Sequence, residues 1–187
     1  AVTATQKEIN DALAPFLKDP AKKPRMREAM EARKRLTDPV ERLAVDFFQY
    51  DVAGGEEEAL LRAGRRAELS DRWEKARANR VGADPRIDHN LAVLTWWWAV
   101  AEESRVKPQE FKRVDDLWLR AIPNLTFVGY LPGYWEASQA RLRGLGSTLA
   151  QGDDVTSAAR RRVLDEAAVR MGAFATAAQE KRDQALV

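Results

Sequence analysis

The sequence predicts an all-α protein, an irregular multi-helix bundle or short helical-hairpin array of about seven to eight helices with no sheet. Three observations carry this. Apolar residues recur at three- and four-residue spacings through most of the chain. No segment sustains the period-two alternation of a half-buried strand. Asp-Pro and Gly steps punctuate the chain at helix-length intervals. At 187 residues it suits one domain of ordinary size, or two small helical lobes sharing a core. Hydrophobic residues make up 45% and charged residues 32%, enough to fold and in keeping with long amphipathic helices whose outer faces are ion-paired.

The first helix runs from about Thr5 to Lys18, with Ile9, Leu13, Phe16 and Leu17 on one face and Pro15 marking a kink or early stop. A second runs from about Pro24 to Leu36, and Met26, Ala29 and Met30 form its expected buried stripe. Thr37-Asp38-Pro39-Val40-Glu41 is the clearest local signal. Asp38 can cap, Pro39 suits the first helical position, and Glu41 would complete a capping box. The helix it opens continues to about Tyr50 and buries Leu43, Phe47 and Tyr50.

Gly54-Gly55 closes that part of the chain. An N-terminal lobe over 1–53 and a main bundle over 56–187 are the expected division, with packing as one domain left open. Glu56 to Ala63 reads as a short helix stopped by Gly64. Arg66 to Arg80 carries Leu69, Trp73 and Ala76 inward. Asp84-Pro85 repeats the cap-and-Pro start for a helix to Arg105 containing Trp96-Trp97-Trp98. Successive helical residues point about 100° apart, so three adjacent Trp cannot share one narrow face. That helix should be central and touched on several sides, with Trp98 on the face of Leu91 and Leu94. Replacing Trp97 or Trp98 by Ala would then cost about 3–5 kcal/mol.

Pro108 is expected to open the next helix, burying Phe111, Val114, Leu117 and Trp118, and Pro123 to end it. Ala121 to Trp135 contains no charge, two Pro and two Gly, and reads as a largely buried irregular connection. A helix follows from near Gly133 to Gly144 or Gly146. After Gly152-Asp153-Asp154, a loop and cap, the last helix spans about 155–184, its apolar stripe formed by Val163, Ala167, Met171, Phe174 and Ala178.

Composition excludes several chemistries. With no Cys there is no disulfide scaffold, Cys-ligated zinc site, iron–sulfur cluster or Cys nucleophile. Net charge is +2, and the sequence pI of about 9.0 reflects Arg content more than a basic field. The start Ala1-Val2-Thr3-Ala4-Thr5 lacks the apolar stretch of a signal peptide, and Leu91 to Ala101 is too short to span a bilayer. The expected location is the cytoplasm, with an organellar matrix after transit-peptide removal as the open alternative.

Pro24 to Tyr50 resembles the second half of a J domain. Leu36, Asp38, Pro39 and Arg42 stand at the positions of its helix-ending "LxDPxxR" pattern, with a Glu28-Ala29 step earlier in the same helix. The resemblance implies a helical scaffold. The His-Pro-Asp tripeptide through which that family stimulates Hsp70 is missing. Lys18-Asp19-Pro20-Ala21-Lys22-Lys23-Pro24 stands in its place, so no productive Hsp70 stimulation is expected. Asp88-His89-Asn90-Leu91-Ala92-Val93-Leu94, with Trp98 and Leu117-Trp118, is similar to a tetratricopeptide-like hairpin over 85–121, a combination met in bacterial proteins with a J-like N-terminus.

Neither catalytic, metal nor cofactor residues are assigned. His89 beside Asp88 is read as a structural histidine, because a metal or general-base role needs further ligands or an orienting partner. Glu56-Glu57-Glu58 and Asp153-Asp154 fall at helix starts, where negative charge suits the dipole. Ser104-Arg105-Val106-Lys107 and Gly144-Leu145-Gly146 lack the companions of the motifs they partly match.

The preferred reading is therefore a non-catalytic interaction or assembly adaptor whose partner is another protein or a second copy. Phe127, Tyr130, Leu131, Tyr134 and Trp135 are its candidate surface, although core packing would explain the same residues. One alternative is a nucleic-acid-associated protein using a basic patch of Lys22, Lys23, Arg25, Arg27, Arg33 and Lys34, diluted by Glu28 and Glu31. Another is a ligand carrier or enzyme with a Trp-lined pocket.

Overall fold

The computed structural model describes residues 5–18, 24–52, 54–82, 84–105, 111–144 and 153–185. Among these residues there are nine α-helices and no strand, where seven to eight helices were expected. They are α1 (Gln6–Lys18), α2 (Met26–Thr37), α3 (Pro39–Phe47), α4 (Gly55–Arg62), α5 (Arg66–Ala78), α6 (Pro85–Glu103), α7 (Phe111–Gly129), α8 (Pro132–Gly144) and α9 (Asp153–Ala185). No described helix is long and apolar enough to cross a membrane. The expected roles of Lys22, Lys23, Pro108 and Gly152 fall outside the described residues.

The chain forms two compact units, Ala1–Gln49 with Trp135–Arg162, and Tyr50–Tyr134 with Val163–Val187. The first contains α1, α2 and α3, most of α8, and the beginning of α9. Thr5 and Glu8 form a reciprocal capping box: the Glu8 N–H donates to Thr5 Oγ1 at 3.2 Å, and the Thr5 N–H donates to the Glu8 carboxylate at 2.7 Å. Pro15 lies inside α1 and does not end it.

Three expectations fail in α2 and α3. No residue of α2 is buried, and Met30 is exposed, so the Met26/Ala29/Met30 stripe is not a core face. Glu41 does not close a capping box. Asp38 accepts the Glu41 N–H at 2.9 Å, but the Asp38 N–H already donates to Lys34 O at 3.0 Å. The Glu41 carboxylate instead pairs with Arg35 at 3.4 Å and Arg162 at 3.2 Å. Tyr50 lies beyond the end of α3, half-buried in the second unit. The Asp38 cap itself is present, and Asp38→Ala should lower stability by about 0.5–2 kcal/mol in chemical denaturation; an unchanged midpoint would show that Pro39 alone starts α3.

Leu43, Ala44, Phe47 and Phe48 fill the core of this unit, with Phe47 stacked on Trp135 at 5.6 Å. Charge enters the same core. Arg42 and Asp46 sit one turn apart on α3 and are both buried. Arg141 from α8 pairs with Asp46 and donates to Ser138 Oγ at 3.3 Å. Burial pulls the Arg42 guanidinium below its ordinary value, and Asp46 opposes the shift.

In the second unit α6 is the axis. Ten consecutive residues, Ile87 to Trp96, are buried, which only a helix covered all round can achieve. Trp96 is the buried member of the Trp run. Trp97 is 40% exposed and Trp98 only half-buried, which corrects the expectation of a large cost at both. Position relative to α5 and α7 decides which Trp faces inward, and helical period alone does not give that.

Leu60, Leu69, Trp73, Ile87, Leu91 and Leu94 form one cluster between α4, α5 and α6. Trp73 Nε1 donates to Glu57 at 2.9 Å, and Arg86 reaches the other Glu57 oxygen at 2.9 Å. Gly64, at φ 68°, closes α4 as a Schellman motif, with Arg65 N–H to Leu60 O and Gly64 N–H to Leu61 O, both 3.0 Å. Tyr50 packs near Trp73, and burial pushes its phenol up to about 12.

The expected irregular connection over 121–135 is also corrected. α7 runs through Pro123 to Gly129, and α8 starts at Pro132. Pro123 removes one ladder bond at Leu119 O. Both residues face outward, where water can serve that carbonyl and a slight bend can relieve the ring.

Candidate interaction surface

The two faces of α7 differ sharply. Val114, Leu117, Trp118, Ala121, Leu125 and Val128 recur at three- and four-residue spacings and are buried. Trp118 meets Trp96 edge-on at 5.0 Å and Phe174 of α9 at 5.6 Å. On the opposite side Leu119 is 70% exposed, Phe127 52% and Tyr130 60%, with exposed Pro123 between them. Tyr130 keeps helical register, its N–H donating to Thr126 O at 3.2 Å. At about 100° per residue these four side chains fall within about 80° of one another, and at 1.5 Å rise they extend over roughly 16 Å.

This stripe contains no charge. Asp116 and Arg120 border its first turn, and Arg120 lies 3.7 Å from Glu74 of α5. A row of large apolar side chains held outward by a well-anchored helix can dock another apolar surface without reorganising its own backbone.

Of the residues singled out in the sequence, the structure brings Phe127 and Tyr130 onto this stripe. Leu131 is half-buried, and Tyr134 and Trp135 are buried. Leu119 was missed. The signal was present as the 119/123/127 spacing, hidden by reading Pro123 as a helix end.

Of the expected basic patch Arg25, Arg27, Arg33 and Lys34 are described, and these four do not share one face. Arg27 and Lys34, seven apart on α2, share a face with Glu31 between them. Arg33 turns toward α1, where its Nε donates to Asn10 Oδ1 at 3.0 Å. Arg25 pairs with Glu28 at 3.5 Å.

His89 is buried and stacks on the Tyr134 ring at 4.5 Å. Its neighbours are also committed. Asp88 receives Arg80 at 2.7 and 2.6 Å on its two oxygens. Asn90 accepts the Asp51 N–H at 2.8 Å and donates to the Asp51 carbonyl at 2.9 Å. Such exchanges fix the chain leaving α3 against α6 and leave Asp88 and Asn90 little freedom to meet a substrate. Among the described residues no three His, Asp or Glu side chains are grouped so as to hold a metal ion.

Two clefts in the first unit are lined by described residues, with no Trp in either. One, of about 320 Å³, lies between α1 and α2. The other, of about 280 Å³, is bounded by Glu31, Lys34, Arg35, Asp38, Glu41 and Arg162. Comparison with known proteins finds no matching family model, no matching curated protein and no matching solved structure.

Proposed function

We propose that this chain is a non-catalytic helical interaction protein that docks an amphipathic helix of another protein along α7. The outward stripe of Leu119, Pro123, Phe127 and Tyr130 carries the reading. Its length suits one helix laid alongside, with anchors at i, i+4, i+8 and i+11. Its exposed area, on the order of 400 Å², is about half the 800 Å² per partner of a standard interface, which favours a single docked helix over a second globular copy. The α6–α7 pair would serve as a tetratricopeptide-like hairpin presenting it. The α2–α3 pair over 24–50, joined at the Asp38-Pro39 corner, would be a J-like scaffold without chaperone stimulation.

Photo-crosslinking tests this directly. A photoreactive residue at 119 and, separately, at 127 should capture the same partner protein, while one at Val169, equally apolar and exposed on α9, should not. Leu119→Ser with Phe127→Ser should abolish binding of the identified, purified partner. Different captures from 119 and 127, or equal capture from 169, would overturn the reading.

A further inference from the structure

The cleft between α1 and α2 is lined by Glu8, Ile9, Ala12, Leu13, Phe16, Ala29, Ala32, Arg33 and Leu36. Its origin is local. The facing rows of the two helices place alanines at positions 12, 29 and 32, which are too small to fill the space between the axes. Ile9 and Leu13 are buried at its base, while Phe16 and Leu36 remain half-buried at its walls.

Among the described residues two charges line this cleft, Glu8 and Arg33, and they differ in commitment. Glu8 is held by Thr5 through both the backbone N–H and the hydroxyl, at 2.7 and 2.8 Å. Those bonds lower its carboxyl from its ordinary value. Arg33 spends only its Nε, on Asn10, and makes no ion pair among the described residues. The cleft thus offers an apolar channel with one uncommitted guanidinium at its edge.

We propose that this cleft binds a medium-chain amphiphile with an anionic head, of the fatty-carboxylate class, its tail along Ile9, Ala12, Ala29 and Ala32 and its head on Arg33. Size sets the chain length. An apolar cavity of about 150 Å³ accommodates benzene, so about 320 Å³ corresponds to a chain of ten to twelve carbons. The guanidinium selects the head by charge and can meet a carboxylate with two parallel hydrogen bonds. This site is in the first unit and independent of the α7 stripe.

Calorimetric titration of the full chain with dodecanoate, dodecanol and dodecylamine, each below its aggregation concentration, tests the assignment. Dodecanoate should bind saturably at one per chain, about fivefold tighter than the alcohol, because an exposed ion pair contributes modestly. The amine should bind more weakly than the alcohol. Ala29→Leu with Ala32→Leu should weaken dodecanoate at least about tenfold by filling the channel. Arg33→Gln, an exposed change that leaves the packing intact, should remove the carboxylate preference and keep the alcohol affinity. Leu119→Ser with Phe127→Ser should change nothing. Absence of saturable dodecanoate binding, equal affinity for carboxylate and amine, undiminished binding in the filled variant, or loss of binding in the α7 variant would each overturn the proposal.

Discussion

Trp118→Ala should lower the free energy of unfolding by about 3–5 kcal/mol, while Trp97→Ala should cost no more than about 1 kcal/mol. The two residues belong to the same sequence pattern of Trp-bearing helices, yet their surroundings differ. Trp118 is 1% exposed and packs on Trp96 and Phe174. The Arg170 guanidinium lies 6.0 Å from its ring centre, on α9. Truncation therefore opens a void where α6, α7 and α9 converge. Trp118 Nε1 has no acceptor among the described residues, so Trp118→Phe loses ring volume but no hydrogen bond and should be milder than Ala. Urea unfolding followed by circular dichroism measures all three variants. A Trp118→Ala loss as small as that of Trp97→Ala would mean that α7 is not held by its inner face.

The second large effect is expected at Arg80. Asp88 is 3% exposed and receives both of its short hydrogen bonds from one Arg80 nitrogen. Arg80 also reaches the Asp84 carbonyl at 3.3 Å, beside the cap that starts α6. Arg80→Ala leaves a carboxylate buried without its cation and should cost about 3–5 kcal/mol. Asp88→Leu in the same background removes the stranded charge and should restore much of that loss, because a buried pair often contributes little more than an apolar replacement. A double-mutant cycle by denaturant unfolding separates the terms. If Arg80→Ala cost under about 1 kcal/mol, or if Asp88→Leu failed to rescue it, the pair would not be the determinant of this helix start.

What was legible in the sequence was local. Asp38-Pro39 and Asp84-Pro85 announce helix starts because a carboxylate capping the next amides, followed by a residue with fixed φ, needs no distant partner. Both function as caps, Asp84 accepting from Arg86 and Ile87. The central place of α6 was expected from its three Trp, but the burial that establishes it runs from Ile87 to Trp96, and of the three only Trp96 is buried. Which Trp points inward depended on α5 and α7 and was not legible. Glu41 illustrates the same limit: its spacing from Asp38 fits a capping box, but Arg35 and Arg162 compete for its carboxylate. Asp46 and Arg141 meet across 95 positions, and no spacing rule pairs them. The candidate surface was half visible. The uncharged run from Ala121 is visible in the sequence, but Pro123 conceals a continuous helix, and with it the outward position of Leu119.

The corner at Asp38 works as a joint with no spare length. α2 ends at Thr37 and α3 begins at Pro39, so this one residue terminates one helix and caps the next. Arg35 and Glu41 brace it from either side. Inserting a residue here would separate the end of α2 from the cap of α3, because the Asp38 N–H to Lys34 O bond and the Glu41 N–H to Asp38 bond could no longer meet on one residue. Deletion would remove the residue on which both bonds meet. The corner thus ties the end of α2 directly to the start of α3 through a single residue.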